Sequence, residues 1–155
     1  MNSVAQCRTV KPSQPRSLRI LVVDDSAPFG DLAAALLTRE PCVNVVGVVR
    51  SGAEALNAVA MDRPDVVLMD VQMSPMSGLT AAALVSWLFP ETQVVMMSTD
   101  DSPRLRAECT ASGAVAFIHK PDFISEFLVA VGPVARGRLR SAKATGSELV
   151  SATAV

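Results

Sequence analysis

A chain of 155 residues, half of them hydrophobic and 19% charged, holds enough apolar material for one ordinary core and too little polarity for wholesale disorder. Its net charge of −1 hides a partition: residues 1–17 carry +3, residues 18–132 carry −7 and residues 133–155 carry +3. The acidic body is therefore a poor nucleic-acid binder on its own, no apolar run approaches the roughly 20 residues of a membrane span, and a cytoplasmic protein without membrane contact is expected.

The segment 1–17, with its Gln, Ser and Pro clusters around Arg8 and Lys11, lacks apolar periodicity and is expected to be a flexible leader. A first strand is predicted over Leu18 to Val23, followed by a helix whose Phe29, Leu32, Ala33, Leu36 and Leu37 share one face. A second strand over Val43 to Val49 leads to a helix announced by the capping box Ser51-Gly-Ala-Glu54, with Ala55, Leu56, Val59 and Ala60 on its apolar side. Strands over Val66 to Met69, Val94 to Met97 and Val115 to Ile118 alternate with helices over about 78–88, from Ser102-Pro103 onward, and over about 122–132. The remaining residues, 133–155, are too sparsely apolar for a second core and are expected to form a flexible basic tail. Cys7, Cys42 and Cys109 are odd in number and widely spaced, which suggests reduced thiols rather than a disulfide framework or zinc site.

Strict alternation of continuous apolar strands with helices implies a doubly wound α/β domain over 18–132, with five parallel strands and helices on both faces. Ligands of such sheets bind at the carboxyl ends of the strands, where strand order reverses. Those ends carry Asp24-Asp25, Asp70, Ser98 and His119-Lys120, whereas the second strand ends in Arg50-Ser51 without an acid. An edge strand should contribute least, so the expected order is 2-1-3-4-5.

Each polar residue taken alone has an ordinary role as cap, turn or solvated base. Three carboxylates on neighbouring strand ends repel one another unless a cation offsets them, so together they ask for a divalent metal, a lysine, or both. Lys120 supplies one charge, and oxygen ligands at an open edge suit Mg²⁺. Metal, lysine and hydroxyl around one carboxylate suit a transferred phosphoryl group, with Asp70 as nucleophile, Lys120 neutralising the equatorial oxygens and Ser98 donating to one of them. No Walker-type glycine loop is present, so ATP is not expected as direct donor.

These residues resemble the receiver domain of two-component response regulators, a flavodoxin-like fold, through LRILVVDDS (18–26), PDVVLMDVQMSPMSGL (64–79), VVMMSTDDS (94–102) and GAVAFIHKPDF (113–123). The resemblance implies that Asp70 is the phosphorylated aspartate. Asp25 and Asp70 would be direct Mg²⁺ ligands, with Asp24 acting through water and the Gln72 backbone carbonyl completing the set. It further implies that Ser98 is the hydroxyl switch, Lys120 the phosphoryl-binding lysine, Phe117 the switch aromatic, and Pro121 a structural proline preceded by a cis bond. Gln72 and Asp100 fall where the family tunes acyl phosphate hydrolysis. Two departures stand out: the proline of Met73-Ser74-Pro75 comes one place late, and no tyrosine exists to serve as the switch aromatic.

The function expected is that of a phosphoacceptor rather than an enzyme acting on other substrates. A histidine kinase or histidine phosphotransfer protein would charge Asp70. A downstream protein would read the surface of helix four, strand five and helix five. Output by binding is expected because the tail is too short for a further domain, and self-association through helix four is compatible. The alternative is a receiver cut from a longer DNA-binding or enzymatic regulator. An unphosphorylated scaffold is disfavoured by the complete acceptor set. An aspartate-nucleophile phosphatase is disfavoured because Asp24-Asp25-Ser26 lacks a second acid two residues after the first.

Overall fold

The computed structural model describes residues 17–132, so the expected leader, apart from Ser17, and the expected basic tail lie outside the described residues. The elements run β1 (Leu18–Val23), α1 (Ala27–Leu37), β2 (Val43–Val49), α2 (Gly52–Asp62), β3 (Val66–Asp70), α3 (Gly78–Leu88), β4 (Gln93–Ser98), α4 (Pro103–Ala111) and β5 (Ala116–His119). A short 3₁₀ turn, Lys120–Asp122, then enters a last helix, α5, over 123–132. The strands form one parallel sheet in the order 2-1-3-4-5, as expected.

The continuous apolar strands are explained by two cores, one on each face. Leu21 and Val23 of β1, Val67 and Met69 of β3, and Val94 and Met96 of β4 point into the core shared with α2, α3 and α4. Their neighbours Ile20, Val22, Val66, Leu68, Val95 and Met97 enter the opposite core with Ala33 and Leu37 of α1 and Phe123, Phe127 and Val131 of α5. A central strand covered on both sides has no polar position to spare. The edge strands differ: β2 is only half-buried, and β5 fully buries Ile118 alone.

Local signals are largely obeyed. Ser51 caps α2 by accepting from the Glu54 N–H at 3.2 Å, while the Glu54 carboxylate accepts from Arg50 N–H rather than closing the box on Ser51. Ser102 caps α4 by accepting from the Leu105 N–H at 3.3 Å, with Pro103 in the first turn. Other expectations need correction. Leu32 is 55% exposed and Ala60 is exposed, because the buried stripes narrow to Gly30, Ala33 and Leu37 in α1 and to Gly52, Ala55 and Val59 in α2. Strand five begins one residue late, leaving Val115 exposed. The pairing of β1 with β2 slips between Ile20 and Leu21, so one extra residue bulges at Val46. No helix among the described residues is long and apolar enough to cross a membrane.

Candidate functional site

The site is built where β1 and β3 end side by side. Asp24 follows the last residue of β1, and its backbone N–H donates to the Val49 carbonyl at 3.1 Å, which anchors the loop to β2. Its side chain is fully buried; Oδ1 accepts from the Ser26 N–H at 2.9 Å, turning the chain into α1. Asp25 faces solvent, and Asp70 closes β3 with only 3% exposure. One carboxylate oxygen from each of Asp24, Asp25 and Asp70 lies within 4.8 Å of the others.

Lys120 completes this cluster from the far side of the sheet. Its ammonium lies 2.6 Å from Asp24 Oδ2 and 3.0 Å from Asp70 Oδ1, and 12% of its side chain is exposed. Burial pushes the Asp70 carboxyl up, against the hydrogen bond and charge of Lys120 and a backbone hydrogen bond from Gln72; the charge of Asp24 adds to the rise. Burial alone would lower Lys120, but the hydrogen bonds and charges of Asp24 and Asp70 outweigh it and hold the ammonium above its ordinary value. Among the described residues Lys120 is the cation in ion-pair contact with these acids. Three carboxylates and one ammonium leave an excess of two negative charges at an open edge lined by oxygen donors. That donor set fits a hard divalent cation such as Mg²⁺.

The remaining candidates surround this centre. Ser98 ends β4 one register step beyond Met97, the partner of Asp70. It is buried, and its Oγ accepts from the Asp100 N–H at 3.1 Å, which leaves its own proton free for another acceptor. The Gln72 side chain is exposed, so this residue meets the site through its backbone. Phe117 is not in the acid cluster: it packs partly buried against the α2, α3 and α4 core, with the Arg106 guanidinium 4.4 Å above its ring. Arg106 is also paired with Asp101.

Pro121 requires a correction. The bond before it is not cis; it sits in the 3₁₀ turn that leads directly into α5, where a trans proline suits the first helical positions. The cis bond among the described residues is Ser74–Pro75, in the loop whose displaced proline the sequence had already marked.

Three contributors escape a reading of residue types. A β-carbon on Gly78 would stand 1.8 Å from the Asp70 carbonyl oxygen, so this glycine lets α3 begin against the back of Asp70. Phe29, read as a core residue of α1, has Lys120 Nζ 4.6 Å from its ring centroid. The sequence places His119 only at a strand end. Its ring joins Thr99 to Asp122, while its backbone N–H donates to Glu126 at 2.7 Å.

With this geometry in view, comparison with known proteins gives a definite family. The response regulator receiver domain matches residues 20–131, and the chain belongs to that family. It is 34% identical over 125 residues to the probable transcriptional regulatory protein NarL of Mycobacterium tuberculosis, covering 81% of this chain and 58% of that one. It is 36% identical over 108 residues to a protein-glutamate methylesterase/protein-glutamine glutaminase of Thermotoga maritima, covering 68% of this chain and 31% of the relative. The chain thus spans well under two thirds of either relative. Among solved structures, the signal receiver domain of the M. tuberculosis NarL protein superposes with a TM-score of 0.74 at 34% identity, covering 80% of this chain and 100% of that one. The CheX-CheY-BeF3-Mg complex of Borrelia burgdorferi gives 0.70 at 26% identity, covering 77% and 90%. The protein is a response regulator receiver, a signalling domain of two-component systems.

Proposed function

We propose that this receiver takes a phosphoryl group on Asp70 from a histidine kinase or histidine phosphotransfer protein and passes the change to a downstream protein. The observation that carries this reading is the ammonium of Lys120 held between buried Asp24 and Asp70, with Asp25 completing an oxygen cluster within 4.8 Å. An Asp70 carboxylate oxygen forms a bond to phosphorus as the donor's P–N bond breaks and its electron pair stays on the histidine nitrogen. Lys120 meets the charge that gathers on the phosphoryl oxygens, and the free proton of Ser98 donates to one of them. Asp25 and Asp70 would hold Mg²⁺ directly, Asp24 through water, and the Gln72 carbonyl would complete the set; the bound cation supplies charge neutralisation on the transferring group. A related fold solved with BeF3 and Mg supports this assignment.

The readout is a shift in population. Drawing the Ser98 hydroxyl toward a phosphorylated Asp70 opens room beside β4 that the Phe117 ring can take. Phe117 lies under Arg106, so its movement rearranges the pair that Arg106 of α4 makes with Asp101 of the preceding loop and presents a changed α4, β5 and α5 face to a partner. With a phenylalanine there, the coupling rests on packing and ring contacts, not on a phenol hydrogen bond. A second reading places the same switch within a longer regulator with DNA-binding or enzymatic output, which the 58% and 31% coverage of the relatives favours.

The test is incubation with Mg²⁺ and acetyl phosphate followed by intact mass measurement. One added phosphoryl group is expected on the wild-type chain, and none without Mg²⁺. Uptake that ignores Mg²⁺ would remove the metal from the account.

A further inference from the structure

An ammonium group has three N–H donors. The Lys120 ammonium makes ion-pair contacts with Asp24 Oδ2 at 2.6 Å and Asp70 Oδ1 at 3.0 Å. The third neighbour is an aromatic ring: Nζ stands 4.6 Å from the centroid of Phe29, within reach of a cation–π contact. Only 12% of the lysine side chain meets solvent, so the ring lies where water would otherwise solvate the charge.

The ring is itself braced. Phe29 meets Phe123 edge-on at 5.7 Å with an interplanar angle of 84°, and Phe123 stacks on Phe127 at 5.9 Å. Phe29 belongs to α1 and the other two to α5, so the aromatic row ties the helix after Asp24-Asp25 to the helix after Lys120. A lysine stem has four flexible carbons, and its charge is useful at Asp70 only while the tip is held there. The two acids fix the tip along one direction, and the braced ring removes the lateral freedom that remains.

We infer that Phe29 is a positioning residue for phosphoryl transfer: its ring seats the Lys120 ammonium against Asp24 and Asp70 through a cation–π contact. This rests on the role proposed for Lys120 and adds to it the surface that holds the lysine. An apolar side chain of similar bulk would fill the space but give the charge no partner on that side. The tip would then exchange with water and spend less time at Asp70.

The experiment compares the full chain with Phe29→Leu, Phe29→Met and Phe29→Tyr. Two quantities are read: the NMR shift of the Lys120 ε-methylene, which the aromatic ring current moves upfield, and the Mg²⁺-dependent rate of phosphorylation by acetyl phosphate. Thermal melts identify any variant that fails to fold, and Met provides a second apolar replacement should Leu pack badly. The upfield shift should be lost in Leu and Met and kept in Tyr. The rate should fall about 3- to 30-fold in Leu and Met, the span a desolvated cation–π contact allows, and stay within about twofold in Tyr. Wild-type rates in Leu and Met, or an equal fall in Tyr, would overturn the inference. Failure of the wild-type chain itself to take up phosphate would strike the proposed function instead. The Lys120 shift would then decide the seat alone: present in wild type and Tyr and lost in the apolar variants, it upholds the contact; absent in wild type, it refutes it.

Discussion

Gly78 and Asp70 touch back to back: a β-carbon on Gly78 would stand 1.8 Å from the Asp70 carbonyl oxygen and 2.7 Å from its carbonyl carbon. The Gly78 N–H also donates to the Val71 carbonyl at 3.0 Å, so the start of α3 and the end of β3 share one tight corner. Backbone cannot yield as a flexible side chain can. Gly78→Ala should therefore cost about 1–3 kcal/mol or more, as overpacked interiors do. It should also slow phosphorylation by displacing Asp70. Urea melts and the phosphorylation rate check both; an alanine variant as stable as wild type would show that the corner relaxes freely.

Lys120 offsets two nearly dry carboxylates, and losing it leaves both uncompensated. Lys120→Met should lose about 3–5 kcal/mol in the absence of divalent cations, the usual consequence of breaking a buried pair from one side. Added Mg²⁺ should then raise the melting midpoint more in the variant than in wild type, because acids relieved of the competing ammonium bind the cation more tightly and binding to the folded state stabilises it by mass action. A midpoint that Mg²⁺ leaves unmoved in both proteins would argue against a cation site at these acids.

His119 spans two acceptors, the Asp122 carboxylate 2.9 Å from Nδ1 and the Thr99 carbonyl 3.2 Å from Nε2. A neutral imidazole carries one N–H and can satisfy one of them, whereas the imidazolium donates to both. The hydrogen bond to Asp122 foremost, then the Thr99 carbonyl and the charges of Asp101 and Asp122, outweigh desolvation and hold the ring above its ordinary value. Asp101 is itself paired with Arg106 of α4, and the Glu126 carboxylate of α5 accepts from the His119 backbone N–H. A raised folded-state value gives stabilisation that is fully present below the unfolded value near 6.5 and fades as pH rises through the higher folded one. The stability gap between wild type and His119→Gln should therefore be largest in mild acid and shrink toward alkaline pH. A gap that does not change with pH would rule out the two-acceptor latch between the β4–α4 loop and the 3₁₀ turn that enters α5.

The legible part of this molecule was what topology controls. Asp24, Asp25, Asp70 and Lys120 could be brought together on paper because parallel strands carry their carboxyl ends to one edge, and buried central strands announce themselves by unbroken apolar runs. What stayed hidden depends on approach distances between elements remote in sequence. Phe29 has the same apolar signature whether it meets leucine or ammonium, and only the meeting of α1 with the end of β5 decides which. The bulge at Val46 leaves little trace in the sequence, since Val45 precedes it and Val48 and Val49 follow beyond Gly47, and valines suit both faces of the strand. Pro121 was assigned its cis bond by likeness, while the local 3₁₀ turn into α5 decides its geometry.

The central claim concerns which atom receives the phosphoryl group, and borohydride reduction of the phosphorylated chain reads it directly. Hydride attack on an aspartyl acyl phosphate leaves homoserine at the modified position, which peptide mass mapping locates. The account predicts homoserine at position 70 alone, dependent on Mg²⁺ and absent in Asp70→Asn. Label at Asp24, Asp25 or any other residue in the unmutated chain, with position 70 intact, would contradict it.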